Sequence, residues 1–216
     1  MALDEEVNEL LGQQLSEWPQ AADNYAALAG VRVKEFDVDG MHFKVQFNPA
    51  RAVSSGAKVD AASIKARKCF LCAENRPSVQ RGIEWNDDYT ILVNPFPIFP
   101  RHLTIPCNRH VPQAIEGSVV DMLRLAQELR GYTVFYNGAR CGASAPDHFH
   151  FQAGNSDFLP LAANLDGVEM KKLLTHHDST LYLVDSLPIK MFVIDAATPA
   201  EGNVLSIALL NAMPVP

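Results

Sequence analysis

Several features are scarce or absent in this sequence, and each absence excludes a class of protein. No stretch is apolar over the ~20 residues that a membrane-spanning helix needs, so the sequence predicts no membrane association. Basic residues are outnumbered, since 18 Lys and Arg stand against 25 Asp and Glu, which gives a net charge of −7 and a pI near 5.4. The basic surface typical of a nucleic-acid-binding protein is therefore missing. Residues 1–6 are acidic where a secretory signal would be basic, so we expect a cytoplasmic protein.

Cysteine is also scarce. Four cysteines in a chain of 216 residues do not make a disulfide scaffold. Cys69 and Cys72 nevertheless have the Cys-x-x-Cys spacing of metal ligands or of a redox pair. The βαβ pattern of a thioredoxin-like redox protein does not surround them, which disfavours the redox interpretation. A buried pair of small hydrophobic side chains is the alternative.

What is present is a pattern of helices and short strands. Residues 3–17 and 21–28 predict two N-terminal helices, and residues 31–47 predict a hairpin around Asp39 and Gly40. Further strands are predicted at residues 89–94, 103–106, 132–136, 148–152, 181–185 and 190–194, with helices at 118–129 and 199–210. This order indicates an α+β protein with a mainly antiparallel sheet. Residues 51–58 are polar and predict a linker or a loop that closes over a ligand.

Two histidines can complete a metal site with the cysteine pair. A tetrahedral zinc ion needs four nitrogen or sulfur ligands, of which a Cys-x-x-Cys turn supplies two. His110 and His148 are the candidates for the other two, but they lie far along the chain from Cys72. Because this spacing is not that of a zinc finger, the spacing alone leaves zinc and a metal-free cysteine pair equally open.

Residues 148–152, with the sequence His-Phe-His-Phe-Gln, alternate polar and aromatic side chains. In a strand this alternation places His148, His150 and Gln152 on one face, about 6.5–7 Å apart, and the two phenylalanines on the other. A neutral imidazole is a competent nucleophile near pH 7, and an amide can donate to phosphate oxygens. A packed or surface histidine is the ordinary alternative for a single His. Three such side chains on a strand anchored by phenylalanine favour a functional site.

The loop at residues 137–144 directly precedes that segment and contains two glycines. Glycine allows a ligand to approach the backbone closely. Consecutive N–H groups, together with the Ser144 hydroxyl, can form an anion-binding nest, to which Asn137 and Arg140 add donors. A plain hairpin loop is the alternative, but the position of the loop beside the histidines favours anion binding.

Four motifs, at residues 69–72, 103–110, 137–144 and 148–152, together resemble the histidine-triad superfamily. The similarity is to the branch in which glutamine replaces the third histidine. That branch contains galactose-1-phosphate uridylyltransferase, diadenosine tetraphosphate phosphorylase and GDP-hexose phosphorylase, and the whole chain is similar to an uncharacterised bacterial group related to them. The resemblance implies a histidine-triad-like antiparallel sheet with flanking helices, an N-terminal helical extension and the start of a second, incomplete half.

The resemblance also implies roles for individual residues. His150 matches the nucleophile that attacks the α-phosphorus, and Gln152 matches the residue that hydrogen-bonds the phosphoryl oxygen, with Ser144 beside them in the catalytic set. The residues implied to bind nucleotide and phosphate are Asn94, Asn137, Gly142, Ala143 and Ser144. The residues that match a structural zinc site, with all four ligands from the protein, are Cys69, Cys72, His110 and His148.

The implied function is nucleotidyl transfer by a transferase or phosphorylase. The nucleoside monophosphate would come from a nucleoside diphosphate sugar or a dinucleoside polyphosphate and pass through His150 to phosphate or a sugar phosphate. A hydrolase of the same fold and a catalytically silent nucleotide-binding module are the alternatives. Many relatives are dimers, so a homodimer is among the expected states.

Two departures from the family pattern bear on this prediction. Asp147 stands between Pro146 and His148, where the uridylyltransferases run straight from proline to histidine. The chain is also shorter than relatives with two complete halves. We therefore expect an N-terminal helical segment at residues 1–30, a catalytic half at 31–160 and only the start of a second half at 161–216.

Overall fold

The structure of the chain, a computed structural model, describes residues 2–51, 56 and 58–213. It divides into two compact units. The first takes in Met1–Arg32, Phe47–Ile115 and Glu128–Phe158, and the second takes in Val33–Gln46, Glu116–Gln127 and Leu159–Pro216. Most of the loop predicted at residues 51–58 lies outside the described residues. In the described part of the chain, no helix combines the length and the apolar character needed to cross a membrane.

The described α-helices and strands follow one another along the chain in small groups. The helices are α1 (Leu3–Glu17), α2 (Pro19–Ala26), α3 (Ala61–Ala66), α4 (Val119–Glu128), α5 (Leu161–Leu165) and α6 (Pro199–Ala212). The strands are β1 (Arg32–Val38), β2 (Met41–Phe47), β3 (Gly82–Trp85), β4 (Tyr89–Val93), β5 (His102–Pro106), β6 (Tyr132–Phe135), β7 (His150–Asn155), β8 (Lys171–His176), β9 (Ser179–Val184) and β10 (Met191–Asp195). The predicted α+β class with antiparallel sheets is confirmed.

The first unit is built on a five-stranded antiparallel sheet with the strand order β3-β4-β5-β7-β6. Every residue of β4 and β5 is buried, which suits their apolar and β-branched sequences. Helix α1 packs against β3 and β4, and its Leu10 and Leu11 form a cluster with Val93 of β4. Strand β3 was not predicted from the sequence, because four residues are too few to show an alternation of polar and apolar side chains.

Strand β7 begins two residues later than the sequence predicts. His148 lies in a turn instead, where its backbone N–H donates to the carbonyl of Ala145 at 3.2 Å. Pairing with β5 starts only where His150 meets Pro106. The prediction that His148 shares a strand face with His150 and Gln152 is therefore wrong. The turn takes the backbone of His148 away from the hydrogen-bonded pairing between β5 and β7. His150 and Gln152 do lie in the strand, with the fully buried Phe151 between them.

The second unit contains a three-stranded antiparallel sheet and a separate hairpin. Strands β8, β9 and β10 form the sheet, with β9 in the centre, and α6 packs against all three. Strands β1 and β2 form the predicted hairpin, and Asp39 and Gly40 both have positive φ, 46° and 81°, as a type I′ turn requires. Strand β8 was not predicted, because its sequence Lys-Lys-Leu-Leu-Thr-His does not alternate.

Gly154 in β7 leaves space for a buried ring, so its replacement is expected to destabilise the first unit. A Cβ at this position would lie 2.4 Å from Cδ2 of Phe99, which is only 3% exposed. The Phe99 ring makes edge contacts with His102, Phe135 and Phe158 and has little room to shift. We expect Gly154→Ala to lower the free energy of unfolding by about 1–3 kcal/mol, measured by urea denaturation.

Gly12 in α1 provides a control with the opposite sign. A Cβ at Gly12 would meet no atom within 4 Å. Gly12→Ala should therefore raise the free energy of unfolding by roughly 0.5–1 kcal/mol, since alanine loses less backbone entropy in a helix. If Gly154→Ala changed the unfolding free energy as little as a surface substitution does, the tight packing of Phe99 on β7 would be contradicted.

Candidate functional site

A pocket of 790 Å³ lies in the first unit, a volume typical of small-molecule sites. Its apolar lining consists mainly of Trp18, Val59, Phe70, Leu71, Pro77, Phe96 and Ile98. Its polar lining includes Arg51, Asn94, Asn137, Arg140, Ser144, His150 and Gln152. Among the described residues that line it there is no Asp or Glu. The two arginines, with no carboxylate in this lining, suit an anionic group of a ligand. The apolar wall suits a flat apolar group of the same ligand.

The pocket brings together every residue that the sequence analysis named for catalysis and for nucleotide binding. Asn94 comes from the end of β4, His150 and Gln152 from β7, and the others from the loop at residues 137–144. The four predicted metal ligands do not line this pocket. His148 thus belongs with the metal ligands, and not with the pocket face of β7.

His150 is held in one tautomer by its own strand. Its ring Nδ1 lies 2.8 Å from the carbonyl oxygen of His148, which can only accept a hydrogen bond. Nδ1 therefore carries the proton, and in the neutral ring Nε2 keeps its lone pair. Burial lowers the pKa of His150 below the ordinary value, which favours this neutral form. The side chain has the electronic state that a nitrogen nucleophile needs.

Gln113 fixes the backbone of His150 and was missed by the sequence analysis. Its Oε1 accepts from the N–H of His150 at 2.7 Å, and its Nε2 donates to the carbonyl of the same residue at 3.0 Å. The same amide nitrogen donates to the carbonyl of Asn137 at 2.9 Å. This side chain, 4% exposed, therefore ties the strand to the loop. A single glutamine outside any motif carries no signal in the sequence.

His102 orients the amide of Gln152. The backbone N–H of Ile98 donates to Nδ1 of His102 at 3.1 Å, so the proton of the imidazole sits on Nε2. That Nε2 lies 3.1 Å from Oε1 of Gln152 and donates to it. Burial lowers the pKa of His102 to about 3 and keeps the ring neutral. Because Oε1 is the accepting atom, the NH₂ group of Gln152 remains as a donor for a ligand in the pocket.

The loop and Asn94 complete the polar part of the pocket. Gly142 has a φ of +93°, a backbone conformation that favours glycine. Asn94 donates to Oγ1 of Thr104 at 2.8 Å and accepts from the N–H of Phe96 at 2.8 Å. Its amide therefore shapes the chain that carries Phe96. Arg51 also lines the pocket and donates to the Phe96 carbonyl; the sequence analysis did not single it out, because it opens a polar stretch without a motif.

The two cysteines and two histidines predicted as metal ligands form one cluster. One ligand atom from each of Cys69, Cys72, His110 and His148 lies within 4.8 Å of all the others, so the cluster can hold a metal ion. Nδ1 of His148 lies 3.3 Å from Sγ of Cys69, and Nδ1 of His110 lies 3.2 Å from Sγ of Cys72. Two thiols and two imidazoles form a donor set that zinc prefers.

The surroundings of the cluster prepare its atoms for a metal. Nε2 of His148 donates to the carbonyl of Cys107 at 2.8 Å, which directs Nδ1 toward the sulfurs. Burial raises the pKa of the Cys69 thiol, but its hydrogen bonds with His148 and with the backbone of Leu71 and Cys72 outweigh this effect and bring the pKa to about 6, whereas burial raises the pKa of Cys72 to about 11. The thiolate is the form that binds metals. The prediction that these residues form one site is therefore matched by their positions.

Comparisons with known proteins find structural similarity at low sequence identity. The crystal structure of yeast Ap4A phosphorylase Apa2 has a TM-score of 0.47 at 19% identity, over 91% of this chain and 71% of that chain. Its complex with AMP has a TM-score of 0.44 at 18% identity, over 92% and 69% of the two chains. Its complex with Ap4A has a TM-score of 0.48 at 17% identity, over 89% and 70%. No curated protein matches the chain.

A protein-family comparison covers the part of the chain that contains the pocket and the cysteine-histidine cluster. The model of a domain of unknown function, DUF4922, matches residues 10–155. The match takes in the C-terminal part of α1, the whole five-stranded sheet and every described residue that lines the pocket. Because more than half of its length is matched, the chain belongs to the DUF4922 family.

Proposed function

We propose that this protein is a nucleotidyltransferase that carries a nucleoside monophosphate on Nε2 of His150. The observation that carries the proposal is the hydrogen bond of 2.8 Å between Nδ1 of His150 and the carbonyl of His148. This bond leaves a lone pair on Nε2 in a pocket with two arginines and several neutral donors. The resemblance of the motifs to the glutamine branch of the histidine-triad superfamily agrees with this chemistry.

In the first step Nε2 of His150 attacks the α-phosphorus of a nucleotide donor. A phosphorus–nitrogen bond forms, and the bond from phosphorus to the bridging oxygen breaks, so the leaving group departs with that electron pair as a phosphorylated anion. The imidazole becomes positively charged, and its Nδ1–H remains bonded to the His148 carbonyl, which stabilises that charge. The NH₂ group of Gln152 and the Ser144 hydroxyl can donate to the phosphoryl oxygens as charge develops on them.

In the second step an acceptor oxygen attacks the same phosphorus from the side opposite the imidazole. The phosphorus–nitrogen bond breaks, and its electron pair returns to Nε2 of His150. We propose phosphate or a sugar phosphate as the acceptor, and a nucleoside diphosphate sugar or a dinucleoside polyphosphate as the donor. Two displacements through one covalent intermediate predict ping-pong kinetics.

We assign zinc to the cluster of Cys69, Cys72, His110 and His148. Four protein ligands would fill a tetrahedral shell and leave no position for water, so the ion would cross-link the chain and would not supply Lewis-acid chemistry. The cluster joins the turn at residues 69–72 to the segments that carry His110 and His148. Since His148 also holds Nδ1 of His150 through its carbonyl, the cluster supports the nucleophile indirectly.

The test is the intact mass of the protein after incubation with separate donors. GDP-glucose, UDP-glucose, ADP-glucose and diadenosine tetraphosphate serve as donors, at neutral to alkaline pH because a phosphorus–nitrogen bond is labile in acid. We expect an added nucleoside monophosphate on the wild type and none on His150→Ala. The added mass identifies the base. Loss of the adduct when phosphate is added, but not when buffer alone is added, separates a phosphorylase from a hydrolase. Nucleotide binding without any adduct would contradict covalent transfer and leave a binding module.

A further inference from the structure

The two histidines of the cluster differ in what holds the nitrogen that faces away from the sulfurs. Nε2 of His148 donates to a backbone carbonyl at 2.8 Å. Nε2 of His110 faces a side chain instead, since Oδ2 of Asp147 lies 3.9 Å from it, within ion-pair distance. His110 is also the more exposed of the two, with 46% of its side chain accessible. This carboxylate is thus the charged group that faces the outer nitrogen of the His110 ring.

Asp147 is itself fixed by an arginine through its other oxygen. Nη2 of Arg67 donates to Oδ1 of Asp147 at 2.6 Å, and the two side chains are only 24% and 18% exposed. The guanidinium also lies over the ring of Phe70, 5.0 Å from its centroid. Nη1 of Arg67 is buried without a hydrogen-bond partner among the described residues, and the ion pair that the guanidinium forms is the one between Nη2 and Asp147.

We propose that Asp147 is a positioning residue for the metal centre, and that Arg67 holds it in place. The carboxylate faces Nε2 of His110 at ion-pair distance and favours the ring orientation that directs Nδ1 toward Cys72, as a carboxylate behind a ligating histidine does in zinc proteins. The pair joins the residue two positions before Cys69 to the residue directly before His148, so it braces both sides of the cluster. The inference rests on the zinc assignment made above, but not on nucleotidyl transfer.

This role also explains the departure of the chain from the uridylyltransferase pattern. Asp147 is the additional residue between Pro146 and His148, and its carboxylate lies behind His110. A plain surface ion pair would contribute little, typically under about 1 kcal/mol, and would not affect metal binding. The affinity for zinc is therefore the property that separates the two roles.

The experiment measures the zinc affinity of the purified full chain by competition with a chromophoric chelator. We expect Asp147→Ala to raise the zinc dissociation constant about 10–100-fold. Asp147→Asn keeps the size and loses the charge, and we expect a smaller rise in the same direction. Asp88→Ala is the matched control, because Asp88 pairs with Arg109, next to His110, at 3.8 Å and touches no ligand. Its dissociation constant should stay within about twofold of the wild type.

Variants of Arg67 test whether this residue affects zinc affinity through Asp147 or only contributes to stability. If Arg67 acts through Asp147, Arg67→Ala lowers zinc affinity in the wild type and has no further effect in Asp147→Ala. The nitrogen shifts of His110 in ¹⁵N NMR report whether Nδ1 or Nε2 binds the zinc, and we expect Nδ1 in the wild type and a mixture in Asp147→Ala.

The outcomes separate the parts of the proposal. Tight zinc binding by the wild type with an equal affinity in Asp147→Ala overturns the role of Asp147 and leaves the zinc assignment standing. A wild type that does not retain zinc overturns both, whatever the transfer assay shows. Additive effects of Arg67→Ala and Asp147→Ala overturn the coupling between the two residues. Apo forms of all variants are compared by circular dichroism, so a variant that does not fold is recognised, and Asp147→Asn then decides.

Discussion

Replacing His150 with alanine is expected to reduce turnover of a nucleotide donor by at least about 10³-fold, because no other group can take the place of a covalent nucleophile. Nucleotide affinity should change only several-fold. The ligand contacts the whole pocket, in which the arginines, the apolar wall and the loop at residues 137–144 remain. The measurement is steady-state turnover together with equilibrium binding of the nucleoside monophosphate by calorimetry.

Two further variants make the His150 result interpretable. His150→Gln keeps a polar side chain of similar length and controls for loss of packing at a residue that is 4% exposed. His176→Ala changes a histidine at the end of β8 in the second unit and should leave turnover at the wild-type level. Retention of more than a tenth of wild-type turnover by both His150 variants, with intact folding, would exclude His150 as the nucleophile.

Removing the metal is expected to lower the thermal midpoint of the zinc-loaded protein by about 10 °C. Free zinc at a thousand times its dissociation constant stabilises the folded state by about 4 kcal/mol. For a chain of 150–250 residues each kcal/mol corresponds to roughly 2–4 °C. The measurement is thermal unfolding by circular dichroism with and without a chelator, at fixed protein and free zinc concentrations.

Cysteine variants provide the controls for this measurement. Cys69→Ser should melt near the chelated wild type and should no longer respond to chelator, because it lacks a ligand of the cluster. Cys141→Ser removes an exposed cysteine outside the cluster and should behave as the wild type does. A wild type whose midpoint ignores chelator while it demonstrably held zinc would contradict a structural role for the ion.

The metal centre and the pocket share one turn of the chain, and this connection has a kinetic consequence. The turn that carries Cys69 and Cys72 also carries Phe70 and Leu71, which line the pocket. Loss of the metal should therefore weaken nucleotide binding as well as stability. Loss of His150 should act mainly on the chemical step and change nucleotide affinity only several-fold. The two defects can be told apart by whether KM or kcat changes.

Local patterns predicted much of the fold and several of the candidate site residues. The Asp39–Gly40 turn was predictable because Asp-Gly between two alternating segments favours a type I′ turn, and both residues do have positive φ. His150 and Gln152 were predictable as a pair, since residues two apart in a strand share a face. The Cys-x-x-Cys spacing marked the cysteine pair as a candidate metal site but left a metal-free pair equally open.

The partners of these residues came from distant parts of the chain, and no local pattern contains them. Gln113 meets His150, and His102 meets Gln152, only because β5 pairs with β7 and the loop after β5 returns to that strand. The position of His148 outside strand β7 also depended on the turn that begins at Ala145, which a period of two does not reveal. Periodicity reports neighbours along one element, whereas the tautomers and orientations of His150 and Gln152 depend on which elements pack together.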